Sequence, residues 1–334
     1  MRSPLFIFYF LLIYTSIACS QEKLTGTIYN AQDSSAVFGA SVYFDGTSVG
    51  VASNENGSFT LQKPPEMTAP LVISSLGFET MIISNYNAYT SVLPPVYLKP
   101  SEENLETVTI EADPWTRKKK LDIFRKEFIG TSPEAKKCTI KNEAAIKLNY
   151  RPSTETLTAF SNEPIIIVNK FLGYQIKYDL RNFEVQFDTG SSGIQFLHFT
   201  YYDGTSFFKE LKEEPKRKIL GHRSSTYKGS VLHFMRSLAV KSLEENGFEI
   251  YHERFKVAPY KFFKLMRYAD LTRVELLTEK IVILYNHSEQ SSMSTEGPFV
   301  IDGFGNHSPP QNIIFSGRMS SGRIAHMLPL NYMR

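Results

Sequence analysis

Between residues 22 and 112, short runs of alternating apolar and polar residues recur, each closed by turn-forming residues. The runs lie at 24–29, 40–44, 49–53, 58–61, 71–75, 79–84, 92–98 and 105–110. Apolar side chains two apart, as in Val42/Phe44, Phe59/Leu61 and Val108/Ile110, point to one face of a strand. Asp45-Gly46, Asn54-Glu55-Asn56-Gly57, Pro64-Pro65 and Leu76-Gly77 supply the turns. Many short strands with regularly spaced turns and no helical period predict an all-β sandwich of two face-packed antiparallel sheets.

Charge marks the end of this unit. Residues 21–112 carry three Lys, no Arg and ten acidic residues, a net of −7, whereas residues 113–334 carry 33 basic and 24 acidic residues, a net of +9. The step places a boundary near Asp113-Pro114, with residues 113–120 as a basic connecting segment and residues 121–334 as a second unit. The whole chain of 334 residues, 42% hydrophobic and 21% charged, has ample material for packed cores in both.

Residues 1–20 read as a signal peptide. Arg2 precedes an apolar stretch, Leu5 to Ala18, too short to span a bilayer as a helix. An uncleaved anchor is the alternative. Ala18-Cys19-Ser20 before Gln21 fits simple cleavage, while Ser16-Ile17-Ala18-Cys19 also fits a lipobox with Ser16 where Leu is usual. In the second case a lipid on Cys19 tethers the mature chain to a membrane. The chain is therefore expected to be exported, to the periplasm or to an outer-membrane or cell-surface position. Cys138 is the only other cysteine, so no internal disulfide is expected after export, and it reads as a small buried apolar residue.

The second unit reads as β-rich α+β. A short helix is expected over 117–129, where Leu121, Phe124 and Phe128 form one stripe, and another after Ser132-Pro133-Glu134. Strands are expected at 146–150, 156–160, 165–168, 174–187, 196–202, 281–285, 299–302 and 313–315. Residues 229–246 give the clearest helix, with Val231, Phe234, Met235, Leu238 and Ala239 on one face and Gly247 as its left-handed cap.

The first unit resembles the carboxypeptidase-regulatory-like (CarboxypepD_reg-like) family of transthyretin-like, Ig-like β-sandwiches common in Bacteroidota. The resemblance rests on Gly26-Thr27-Ile28, Val37-Phe38-Gly39-Ala40-Ser41-Val42, Gly46-Thr47 through Gly50, Ser53 through Leu61, Ser75-Leu76-Gly77-Phe78-Glu79 and Leu105 through Ala112. Ala36-Val37-Phe38 stands where Pro-Leu-Pro is common. The resemblance implies a non-catalytic module that accompanies metallocarboxypeptidases, TonB-dependent receptors and other exported domains. Segments of the second unit, among them Asp122-Ile123-Phe124, Cys138-Thr139-Ile140, Leu172-Gly173-Tyr174 and Arg323-Ile324-Ala325, are similar to a region of no assigned activity that follows this module in other Bacteroidota proteins.

Catalytic and cofactor motifs do not assemble. A metallocarboxypeptidase needs His-x-x-Glu, and none of His198, His222, His233, His252, His287, His307 and His326 has Glu three residues on. Ser-x-x-Lys at Ser206/Lys209 and Ser225/Lys228 lacks its partner motifs. Gly303-Phe304-Gly305 lacks the third glycine of a dinucleotide loop. Asn54, Glu55 and Asn56 bring too few carboxylates for calcium. Glu102-Glu103, Glu213-Glu214 and Glu244-Glu245 read as solvated surface, and the sequons at Asn56, Asn286 and Asn306 as unread in a bacterial chain. The basic runs Arg117-Lys118-Lys119-Lys120 and Lys216-Arg217-Lys218 read as a charged linker and a loop, or as contacts for an anionic glycan, lipid headgroups or peptidoglycan.

The expectation is a non-enzymatic envelope protein with no catalytic residues, metal or cofactor, in which the sandwich docks or spaces and the second unit binds an envelope protein or glycan. Nucleic acid is not an expected partner. The alternative is a hydrolase of unrecognised class housed in residues 121–334.

Overall fold

The computed structural model describes residues 22–89, 91–101 and 111–333. The expected signal peptide, with Cys19 and its expected cleavage site, and the strand expected at 105–110 lie outside the described residues.

The first unit contains β1 (Glu22–Asn30), β2 (Ser41–Phe44), β3 (Gly50–Ala52), β4 (Ser58–Lys63), β5 (Leu71–Ser74), β6 (Met81–Ile83) and β7 (Val96–Leu98). They form two sheets, β4-β1-β7 and β3-β2-β5-β6. The inward side chains Ile28, Phe44, Leu61, Leu71 and Tyr86 make its core. The expected alternation holds in β4, where Phe59 and Leu61 are buried and Thr60 and Gln62 exposed. Gly57 is required: it sits at φ +73°, and a Cβ there would lie 2.3 Å from the Ile28 carbonyl.

Two expectations need correction. The sheets are not wholly antiparallel, because β7 runs parallel to β1, with Ile28 opposite Val96. The chain crosses from the β6 sheet to the other sheet before β7, so it arrives beside β1 in the same sense. The strand expected over 92–98 is interrupted at Pro94 and Pro95, which have no N–H for a ladder, leaving a single bridge from Val92 to Thr25 and a strand only at its last three residues.

The stretch 121–334 builds two hydrophobic cores. The first surrounds a six-stranded sheet of β8 (Cys138–Ile140), β9 (Ile146–Arg151), β10 (Thr156–Ser161), β11 (Ile165–Asn169), β12 (Tyr174–Thr189) and β13 (Gln195–Glu210). Packed on it is α1 (Arg117–Phe124), which continues as a π-helical turn over Arg125–Ile129. The basic run at 117–120 is therefore helical and anchored rather than a loose linker. Arg117 donates to the carbonyls of Glu143 and Ile146, Lys120 to Asp113 and the Leu148 carbonyl, and Lys119 lies 3.6 Å over the Trp115 ring.

β12 shows how sequence parity is repaired. Tyr174, Ile176, Tyr178 and Leu180 face the core, but so do Phe183 and Val185, which are out of step by one. A bulge between Leu180 and Asn182 loops out Arg181 and resets the facing. Gly204 opposes it, where a Cβ would lie 2.2 Å from the Asp179 carbonyl.

The second core lies among β14 (Phe248–His252), β15 (Phe255–Val257), β16 (Phe263–Tyr268), β17 (Leu271–Leu276), β18 (Lys280–Tyr285), β19 (Glu289–Thr295), β20 (Phe299–Ile301), β21 (His307–Ser308) and β22 (Ile313–Gly317). Their sheets are ordered β15-β14-β18-β19-β22 and β16-β17-β20-β21. Between the two groups of strands stand α2 (Arg217–Tyr227) and α3 (Val231–Ala239), and α4 (Arg318–Ser321) follows β22.

The Lys216-Arg217-Lys218 run, expected in a loop, opens α2. Arg223 holds that helix down: its guanidinium donates to the Leu172 carbonyl and to both Glu210 oxygens, and stacks 3.8 Å from the Tyr174 ring centre. The apolar face expected for α3 is buried, and Ser230 caps it by accepting from the His233 amide. The helix ends eight residues before Gly247, where Lys241 turns left-handed at φ +58°. Gly247 is left-handed too, but in the turn leading to β14.

Residues 323–332 tie all three cores together. Ile324, Ala325 and Leu328 enter the six-stranded-sheet core, and Leu330 packs against the sandwich. The Leu330 amide donates to the Gly46 carbonyl, and Asn331 exchanges hydrogen bonds with Ser48. From α3, Arg236 donates to the carbonyls of Phe304, Leu330 and Tyr332.

Candidate functional site

A cleft of about 500 Å³ opens between β13, the start of α3 and the returning C-terminal segment. One wall is β13 at Thr200, Tyr201 and Tyr202; another is the start of α3, and the Gly305–His307 turn and the segment from Arg318 to Leu330 close it. Thr200 and Tyr202 lie on one face of β13 and Tyr201 on the other, and Tyr178 of β12 also borders the space, so the cleft reaches around the β13 edge onto the sheet face. Val231, Leu232, Phe315, Met319, Ile324 and Leu328 give it an apolar lining.

Three cations and one carboxylate line this space: Lys228, Arg318, Arg323 and Glu289. Lys228 and Arg318 are exposed, and Arg318 stands 3.7 Å from Glu289. Arg323 is held from behind by the buried Glu127, 3.3 Å away, whose carboxylate also accepts from Thr200. Its backbone, at φ 48° and ψ −157°, lies in a region that glycine normally occupies. The cost is borne at a residue that the surrounding core fixes on both sides, with Ile324 buried next to it.

The histidines here are neutral at pH 7. Burial pushes His307 down to about 4. Burial and then the charge of Arg318 lower His326, against an opposing pull from Glu134. Ser132 and Glu134 both approach His326, at 3.3 and 3.4 Å, but both meet the same nitrogen, Nε2. A nucleophile–base–acid relay needs one partner on each ring nitrogen, so this trio does not form one.

The remaining residues singled out in the sequence do not converge. His222 stacks on Phe171, His252 meets Thr278, and His198 pairs with Asp188 on the β12–β13 hairpin. His233 sits between the Gly229 amide and Asn246. His287 stands beside Glu249. Cys138 is half-buried, and burial pushes its thiol up to about 12, so it is unreactive at neutral pH. Ser206 and Lys209 lie on β13, Ser225 and Lys228 at the end of α2. Asn54 spends its side-chain oxygen on the amides of Asn56 and Ser58, which makes that segment a turn. Asp302 likewise accepts from the amides of Phe304 and Asn306, closing the Gly303-Phe304-Gly305 turn. Glu213 and Glu214 are exposed, and Glu102 and Glu103 lie outside the described residues. Among the described residues no group of three or more His, Cys, Asp or Glu is placed to hold a metal ion, and no helix is long and apolar enough to cross a membrane.

Sequence reasoning missed the cleft's cations. Lys228, Arg318 and Arg323 are isolated in sequence, and only the return of residues 323–332 brings them together. No curated protein matches the chain. Residues 24–110 do match a family model, and the two sheets, the Gly57 turn and the buried Phe59 and Leu61 lie within that match. Residues 24–110 of this chain are a CarboxypepD_reg-like domain.

Proposed function

We propose that this is a non-enzymatic, exported envelope protein in which the CarboxypepD_reg-like domain serves as a docking or spacer module and the region after it binds an anionic ligand in the cleft. The observation that carries the reading is an apolar cleft bordered by Lys228, Arg318 and Arg323, with Glu289 near Arg318 and Glu127 behind Arg323 as their carboxylates. Such a site attracts an anion by charge and retains it by apolar burial. Export rests on Arg2 and the apolar stretch after it. The hydrolase alternative finds no support at His326, where both neighbours crowd one nitrogen.

Fluorescence anisotropy with a labelled polygalacturonate oligomer and a labelled acidic octapeptide tests the proposal. At least one probe is expected to bind at low salt and to weaken at about 0.3 M salt, as screening shortens the reach of the charges. Lys228→Glu with Arg318→Glu, both exposed, is expected to weaken binding by about tenfold or more, equivalent to ~1.4 kcal/mol. No binding of either probe at low salt, or an unchanged affinity in the double variant, sinks the proposal.

A further inference from the structure

We infer, resting on the reading of the cleft as an anion-binding site, that its ligand is an extended acidic polypeptide segment that adds to the edge of β13 as a further strand. The edge itself is the first reason. β13 pairs with β12 along its whole length on one side. On the other side, its one further backbone pairing among the described residues lies near its far end, where Thr47 of the sandwich bridges to Phe207. There the Gly46 amide donates to the Ser206 carbonyl and the Phe208 amide to the Thr47 carbonyl. The sandwich thus occupies one end of this edge as a strand would and, among the described residues, leaves 195–204 without a neighbouring strand.

That open stretch lacks the usual protections. Exposed edges are normally blunted by proline, lysine or charge on the strand. Residues 195–204 read Gln-Phe-Leu-His-Phe-Thr-Tyr-Tyr-Asp-Gly, with no proline, no lysine and one carboxylate. Phe196, Leu197, Phe199 and Tyr201 are each 40–52% exposed. Side chains of this kind beside unpaired backbone give a template for strand addition, with the backbone supplying affinity and the side chains selectivity.

The cleft supplies the rest. It runs against the same edge at Thr200, Tyr201 and Tyr202, so a strand laid there enters it. Six residues of such a strand span ~20 Å. Lys228, Arg318 and Arg323, set against Glu289 and the Glu127 carboxylate behind Arg323, leave a positive excess that favours acidic side chains on it. A glycan could satisfy the charges but has no row of amides to meet the row on β13.

The test uses the full mature chain and an octapeptide of alternating Asp and Val, capped at both ends. Two analogues carry N-methyl groups on alternate residues, one blocking each edge of the peptide. They keep charge and side chains while removing the amide donors of one edge. The parent peptide is expected to bind, and one analogue of the pair to lose about tenfold or more while the other binds as the parent does. Equal binding of all three, or equal loss in both analogues, overturns strand addition while leaving the anion cleft intact. Binding of the polygalacturonate oligomer alone does the same. If neither probe binds, the reading of the cleft falls and the inference with it. Self-association of the chain that the peptide does not reverse overturns the inference in favour of a second copy on the edge.

Discussion

Ending the chain at Gly322 is expected to remove at least ~5 kcal/mol of stability, about as much as a typical domain possesses. Ile324 and Ala325 are buried, Leu328 is 8% exposed, and Leu330 packs on the sandwich. Each large aliphatic side chain withdrawn from water contributes roughly 1.5–3 kcal/mol. The truncation also strips Arg236 of its Leu330 and Tyr332 acceptors, and Asn169 of the Ala325 carbonyl. Buried donors left without acceptors cost about 1–3 kcal/mol each. A thermal melt of the truncated chain is expected to lose cooperativity or to fall by about 10 °C or more. A midpoint within a few degrees of the full chain contradicts the role of this segment as the tie between cores.

The contact between the sandwich and β13 is expected to carry a pH signature through Asp45. Its carboxylate accepts from the Ser206 amide. Burial pushes it up to about 6 from 3.8, and hydrogen bonds from the Ser206 and Gly46 amides oppose the rise. The folded state therefore holds this proton more tightly than the unfolded state. The stability linked to it is fully present below pH 3.8 and is lost as pH rises toward 6. The loss amounts to about 2–3 kcal/mol, at ~1.4 kcal/mol for each unit. Asp45→Asn, which keeps the acceptor oxygen without the charge, is expected to be more stable than the parent by about that amount at pH 8. The difference should shrink as pH falls through 6 and vanish near 4. His307, lowered by burial to about 4, has the opposite dependence but is present in both chains and cancels in the comparison. Denaturant unfolding of the pair across this range makes the measurement, and a difference independent of pH contradicts it.

The sandwich was legible because its strands follow period two and its turns carry glycine, asparagine or proline at positions that demand them. The strands from 248 to 295 were mostly illegible for the converse reason. The hairpin joining β16 to β17 turns at Ala269, φ +45°, and the one joining β18 to β19 at Asn286 and His287, φ +47° and +58°, all without glycine. β19 reads as polar, yet Ser291, Ser292 and Met293 are buried, with Ser292 hydrogen-bonded to Ser316 across the sheet. α2 was hidden because its first turn is basic, against the usual preference for acidic residues there. Arg223, fixed between Glu210 and Tyr174, offsets that.

The cleft was the least legible feature. The conspicuous basic run at 117–120 is largely spent on the structure of α1, while the cations that converge are single residues. Arg323 stands in sequence within the Arg323-Ile324-Ala325 similarity and Lys228 within a Ser-x-x-Lys pair, and neither setting marks a cation of a cleft.

The most direct measurement is hydrogen exchange along the full chain with and without the acidic octapeptide at saturation. Exchange is predicted to slow at residues 199–204 of β13 and at 318–324 facing it. Slowing confined to the sandwich, or none at either segment, contradicts a ligand seated between the open strand edge and the returning C-terminal segment.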